Sequence, residues 1–122
     1  MSLTLTELEL MNFRNCRCQH LVFDSPQVVF EGPNGSGKSN LLEAIFYLSI
    51  LRSFRNAGVR DMVMIGERSF ILRGVIHRRK YPESVEVEQT LNSARRLFID
   101  GSPIRKSSEF IRAVSYTHLT LP

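Results

Sequence analysis

Tryptophan is absent from this chain, and cysteine occurs only twice, as Cys16 and Cys18. A lone C-x-C pair with no second pair and no His-x-x-x-His nearby offers too few ligands for zinc, so the thiols read as reduced and structurally incidental. No apolar run reaches the roughly 18 residues needed to span a bilayer. The longest, at 41–51, is interrupted by Glu43. The amino terminus has neither the basic start nor the apolar stretch of a signal peptide, which points to a cytoplasmic protein without a membrane partner. Internal repeats and low-complexity segments are also missing. His20, His77 and His118 lack partner spacing and acquire no role.

What remains is ordinary globular material. A length of 122 residues bounds the chain to one domain or a piece of one. Hydrophobic residues at 43% argue against disorder. The formal net charge of +4 suits a polyanionic partner without requiring one.

The informative stretch is 27–51. A β-branched and aromatic run at 28–30 leads into Gly32, Pro33, Asn34, Gly35, Ser36, Gly37, Lys38 and Ser39, and a strongly apolar helical run leaves it. This fits G-x-x-x-x-G-K-[ST] in the strand–loop–helix setting of a phosphate-cradling loop. Gly32, Gly35 and Gly37 let successive amides approach a polyphosphate without Cβ collisions. The open N–H groups of the first helical turn and the helix dipole add to the same anion site. Lys38 would set its ammonium against the β- and γ-phosphates, and Ser39 would offer a hydroxyl to Mg²⁺. Asn40 completes the candidate cofactor-binding run.

The remaining elements follow from periodicity. Residues 3–10 alternate, with a change of phase at Thr6–Glu7 that suggests a bulge. Residues 11–15 read as turn-prone, 21–23 as a short second strand and 24–26 as a turn. The helix at 38–51 is apolar on nearly every face, so burial is expected. Three strands follow at 70–76, 84–91 and 95–99, joined by hairpin turns at 78–82 and 92–93. A turn is expected at 100–103, and a serine-capped short helix at 107–112.

Taken together, Phe13-Arg14-Asn15, the run from Gly32 to Ile45 with its Asn-Leu-Leu-Glu-Ala-Ile continuation, Arg52-Ser53-Phe54-Arg55, and the stretch from Arg96 to Arg105 resemble the amino-terminal part of the RecF family. These are bacterial DNA replication and repair ATPases related to SMC proteins and other ATPases with ABC-type heads. The resemblance covers about residues 3–113. It implies an α/β (mixed α+β) P-loop NTPase fold, here an incomplete ABC-ATPase-head-like mixed sheet around a buried P-loop helix. It also implies ATP and Mg²⁺ as cofactors, an ATP-dependent homodimer, and binding to DNA at gaps or single-strand/double-strand junctions. Other recombination mediators are possible partners, and the SOS response is the implied setting. By its match to the F-R-N motif, Arg14 is a candidate phosphate contact, a role that suits a bidentate guanidinium. Arg52, Arg55, Arg78, Arg79, Lys80, Arg95, Arg96, Arg105 and Lys106 are candidate DNA-backbone contacts, since phosphate neutralisation needs only clustered positive charge.

The resemblance is partial. No apolar strand ends in the Asp-Glu pair of a Walker B motif, and no signature motif is found. Nucleotide binding without turnover is therefore expected of this chain. Residues 114–122 depart from the family pattern and resemble the in-frame translation of a transposon-end adapter. Native sequence is expected to stop near Ala113, leaving an apolar patch and an open sheet edge that favour aggregation. Three other readings stand: an ABC-transporter nucleotide-binding domain, a small P-loop kinase and an inert fragment. The first expects an aromatic residue stacked on adenine, and the second a substrate lid.

Overall fold

The computed structural model describes residues 3–23, 38–53, 55–78, 81–115 and 119–120. The glycine loop from 32 to 37, the expected strand at 28–30, and Arg79 and Lys80 lie outside them.

The frame is a sheet in the order β2-β1-β3-β4-β5-β6. Its strands are β1 (Leu3–Phe13), β2 (Cys16–Val22), β3 (Ser69–Arg78), β4 (Tyr81–Thr90), β5 (Arg96–Ile99) and β6 (Ser102–Ile104). All of these neighbours are antiparallel. A short strand, β7 (Leu119–Thr120), pairs parallel with the start of β1 and makes the sheet mixed. The helices are α1 (Lys38–Ile50), α2 (Val59–Met62) and α3 (Ser107–Ser115).

Period-2 alternation decides which strand residues turn inward. Leu8 and Leu10 of β1, Phe70, Leu72 and Ile76 of β3, Val85 and Val87 of β4, and Leu97 of β5 are all buried. They share one core with Ala44, Ile45, Tyr47, Leu48 and Leu51 of the α1 segment and Phe110 and Val114 of α3. Phe70 is a hub: Phe13 meets it edge-on at 5.1 Å and Tyr47 at 5.7 Å. The outer face is charged, and register sets Arg73 opposite both Glu9 and Glu86.

The expected phase change in β1 is a real irregularity. Leu5 pairs with Ile76 and Glu7 with Val75, so Thr6 is the extra residue, and its Oγ1 donates to the Val75 carbonyl at 3.2 Å. Other boundaries differ from expectation. β1 continues through Phe13 and β2 begins at Cys16, leaving only Arg14 and Asn15 as the turn. The turn expected at 100–103 is a two-residue hairpin loop, Asp100 (φ 50°) and Gly101 (φ 80°), with β6 behind it. An Asp-Gly pair with both φ positive matches the right-handed strand twist, which lets Ser102 and Pro103 return as an edge strand.

α1 runs where the sequence places it and is largely buried, with two exceptions on one side. Leu42 and Phe46 lie four residues apart on the outward side, each 37% exposed. The core-facing stripe runs through Ala44, Ile45, Tyr47 and Leu48, with Glu43 also buried and Leu41 partly so. The expected end of native sequence at Ala113 falls inside α3, which continues through Ser115 and buries Val114. Among the described residues no helix is long and apolar enough to cross a membrane.

Candidate functional site

Three segments meet at the first turn of α1. The β1–β2 turn brings Arg14 and Asn15. Arg14 adopts φ 56°, unusual without glycine, and its N–H donates to the Met62 carbonyl at 2.7 Å. Two residues earlier, Asn12 accepts from the Met64 N–H at 2.9 Å, and Phe13 bridges Val63. The segment after α2 is thereby laced along the end of β1. The loop following α1 supplies Ser53 and Arg55, where Leu51 (φ 60°) and Asn56 (φ 56°) reverse the chain.

α1 itself contributes Lys38 and Ser39 in its first turn, followed by Asn40 and Glu43. Asn40 links the flanking segments: its Nδ2 donates to Asn15 Oδ1 at 2.7 Å, and its Oδ1 accepts from Arg55 Nη2 at 3.1 Å. Beneath it, Glu43 is fully buried. Arg14 grips its carboxylate with both arms of the guanidinium, Nε at 2.7 Å and Nη2 at 2.8 Å. Ser53 Oγ donates to the same carboxylate at 2.5 Å, and Arg55 Nε stands 3.9 Å from Oε2. Burial alone pushes the Glu43 carboxyl up. The hydrogen bonds from Arg14 and Ser53, with the charges of Arg14 and Arg55, outweigh it and hold the group below the usual carboxylate range. The bond to Glu43 correspondingly raises Arg14 further, against the opposing effect of burial.

These side chains border a cavity of about 520 Å³. Arg14, Arg55 and Arg60 are its cations, Asn15 and Asn40 its neutral donors, and Val63, Met64 and Ile65 form an apolar wall. Both the volume and the mixture suit a nucleotide-sized ligand.

The sequence-derived site residues fall into distinct places. Arg14 and Asn40 line one cavity, and Lys38 and Ser39 precede Asn40 in the first turn of α1. Arg55, a candidate DNA contact from sequence, lines this cavity. Arg95, also expected at DNA, is half-buried and turned inward, donating to the Leu51 carbonyl at 3.0 Å and Tyr47 Oη at 3.3 Å. Arg52, Arg105 and Lys106 are exposed. Arg96 is exposed as well, 3.4 Å from Glu88 and over the Phe98 ring at 5.3 Å. Arg78 ends β3. Gly32, Pro33, Asn34, Gly35, Ser36, Gly37, Arg79 and Lys80 lie outside the described residues.

Sequence reasoning missed Glu43, Ser53, Arg60 and Asp61. For Glu43 a signal existed: it falls four residues before Tyr47 on the inward stripe of α1, where a carboxylate requires a partner. Cys16 and Cys18 are free thiols, with the first raised by burial and by its neighbour. Among the described residues no cluster of three His, Cys, Asp or Glu side chains is formed.

Comparison with known proteins places this geometry in context. Residues 4–116 match the model of the RecF/RecN/SMC N terminal domain. Over 120 residues the chain is 35% identical to the DNA replication and repair protein RecF of Cyanothece sp., covering 96% of this chain and 32% of that one. It is 37% identical to the RecF of Leptospira interrogans over 109 residues, 88% of this chain and 30% of that one. Among solved structures it superposes on the recombination mediator protein RecF with ATP with a TM-score of 0.82 at 34% identity, covering 89% of this chain and 30% of that one. Against the SMC head domain of Thermotoga maritima the TM-score is 0.70 at 25% identity, covering 87% and 40%. The chain spans about a third of the length of the curated relatives it matches.

Proposed function

The chain belongs to the RecF/RecN/SMC N terminal domain family, and from that membership we propose that it is the ATP-binding portion of a RecF-like ATPase of DNA replication and repair. The observation that carries this reading is the convergence of Arg14, Asn40 and Arg55 on one cavity beside the helical turn that holds Lys38 and Ser39. Directly before that turn stand the three glycines of the G-x-x-x-x-G-K-[ST] run. A polyphosphate in such a place meets helix N–H groups, an ammonium and two guanidinium groups.

Ser39 is the candidate Mg²⁺ ligand, one protein oxygen beside phosphate oxygens and waters, which is how this ion is commonly held. When bound, the ion would neutralise charge between the β- and γ-phosphates. The relatives are named for DNA replication and repair, and one neighbour as a recombination mediator. By extension we assign gapped or junction DNA as the polyanionic partner, an ATP-dependent homodimer as the working assembly, and the bacterial cytoplasm as its place. Arg52, Arg96, Arg105 and Lys106, all exposed, remain the candidate backbone contacts.

Titration with a fluorescent ATP analogue in the presence of Mg²⁺ tests the nucleotide half. Lys38→Ala is expected to weaken binding by about tenfold or more, the loss of a charge-assisted contact. Equal affinity in the two proteins would overturn the reading. Binding to gapped DNA is expected to weaken steeply as salt rises, because neutralised phosphates release counterions. Salt-independent binding would remove DNA from the assignment.

A further inference from the structure

Glu43 poses a question that packing does not answer. The inward stripe of α1 is otherwise apolar, and a fully buried carboxylate stands in it. Ion pairs of this kind are poor stabilisers, since desolvation consumes most of what attraction returns, and apolar replacements are often as stable. What such a pair supplies well is direction.

Arg14 uses Nε and Nη2 on the carboxylate, which fixes the plane of its guanidinium and leaves Nη1 outside the pair. Arg55 approaches Oε2 through Nε while its Nη2 reaches Asn40 at the start of α1. Ser53 ties the two halves: its hydroxyl donates to Glu43 and accepts from the Arg55 N–H at 3.1 Å. Two guanidinium groups brought to one cavity repel each other. With a carboxylate between them the trio carries a net single positive charge, and both cations stay at the cavity.

Resting on the nucleotide-binding reading above, we propose that Glu43 is a positioning residue for polyphosphate recognition. Its one buried carboxylate aims the guanidinium groups of Arg14 and Arg55 into the cavity at the first turn of α1, so that the anion meets both together. Arg14 reaches Glu43 from the β1–β2 turn, before α1 in the chain, and Arg55 from the loop after it.

The test is a titration of the full chain with a fluorescent ATP analogue and Mg²⁺, with thermal melts in parallel. Glu43→Gln keeps the size and removes the charge, and is expected to weaken binding by about tenfold. Arg14→Lys keeps the charge but loses the two-armed grip, and the same loss is expected. Arg14→Gln should also lose about tenfold, and the double variant Glu43→Gln/Arg14→Gln should fall clearly short of a hundredfold, because in the absence of Arg14 only the Arg55 share of the role of Glu43 is left to lose. A fully multiplied, hundredfold loss in the double variant would mean that Glu43 and Arg14 act independently, and would overturn the proposal.

Should Glu43→Gln fail to fold, Arg14→Lys decides alone, since that side chain is partly exposed, at 22%. Wild-type affinity in Arg14→Lys would then overturn the proposal. Lys38→Ala separates the two levels of inference. If it binds as the wild type does, the nucleotide reading falls. If it loses binding while Glu43→Gln and Arg14→Lys do not, only the positioning role falls.

Discussion

Arg95 closes the carboxyl end of α1 by donating from Nη1 to the Leu51 carbonyl at 3.0 Å. The last carbonyls of a helix have no partner within it, and the negative end of the helix dipole favours a cation there. The same nitrogen lies 3.3 Å from Tyr47 Oη, and Nη2 lies 3.5 Å from Ser107 Oγ at the start of α3. One side chain from the β4–β5 connection thus ties the two helices of the core. Arg95→Ala is expected to lower stability by about 1–2 kcal/mol in urea denaturation, a charge-assisted bond discounted for partial exposure. The salt dependence of DNA binding should stay as in the wild type.

Gly74 is a second point of close approach. A Cβ built there would lie 3.1 Å from Leu5 Cδ1 and 3.3 Å from Leu48 Cδ1, between the sheet and α1. Gly74→Val is expected to destabilise by about 1–3 kcal/mol through overpacking. Gly74→Ala asks only the ends of two leucines to shift and should cost less. Chemical denaturation of both variants checks the order, and a Val variant more stable than the Ala variant would contradict it.

The Phe70 ring, fully buried between Phe13 and Tyr47, joins β3 to the end of β1 and to α1. Phe70→Ala is expected to cost about 3–5 kcal/mol, transfer and cavity contributions together. In a chain of this size that is a large share of total stability. Loss of the cooperative melt, or a midpoint lowered to match, is the readout.

Acid should probe Glu43. Its carboxyl is held below the usual range in the folded state, so the contribution to stability is complete above the ordinary carboxylate pKa of about 4.3. That contribution is lost as pH falls through the lower, folded-state value. Melting temperature is therefore expected to drop with acidification below that ordinary value. Glu43→Gln should flatten this part of the profile, and an unchanged acid slope in the variant would assign it to other carboxylates.

Much of this was open to reading in the chain itself, for reasons that vary by element. β3, β4 and β5 announce themselves through β-branched alternation, and the bulge in β1 through a broken one. β2 does not, because Arg17, Cys18, Gln19 and His20 are all exposed and leave no apolar rhythm on either side. β6 hides behind Pro103, a residue that strands accept at edges. α2 is a single turn, too short for any period to show. The glycine run pointed to an anion site, whereas the buried carboxylate beside it did not stand out. A lone Glu43 in an apolar helix looks like an interruption until Arg14, 29 positions earlier, is seen bonded to it. Charge alone was a coarse guide: it grouped Arg55 and Arg95 as DNA candidates, and the fold places one at the cavity and the other at a helix end.

The β1–β3 pairing also orders events at the ribosome. β1, β2, the glycine loop and α1 all leave the exit tunnel before Ser69, the first residue of β3. Until that strand emerges, the nascent chain holds a two-stranded ribbon and a sticky helix with no platform under it, a state prone to off-pathway association. The segment proposed to bind nucleotide is therefore translated early and assembled late, and a pause engineered just downstream of α1 should lengthen its dependence on chaperones.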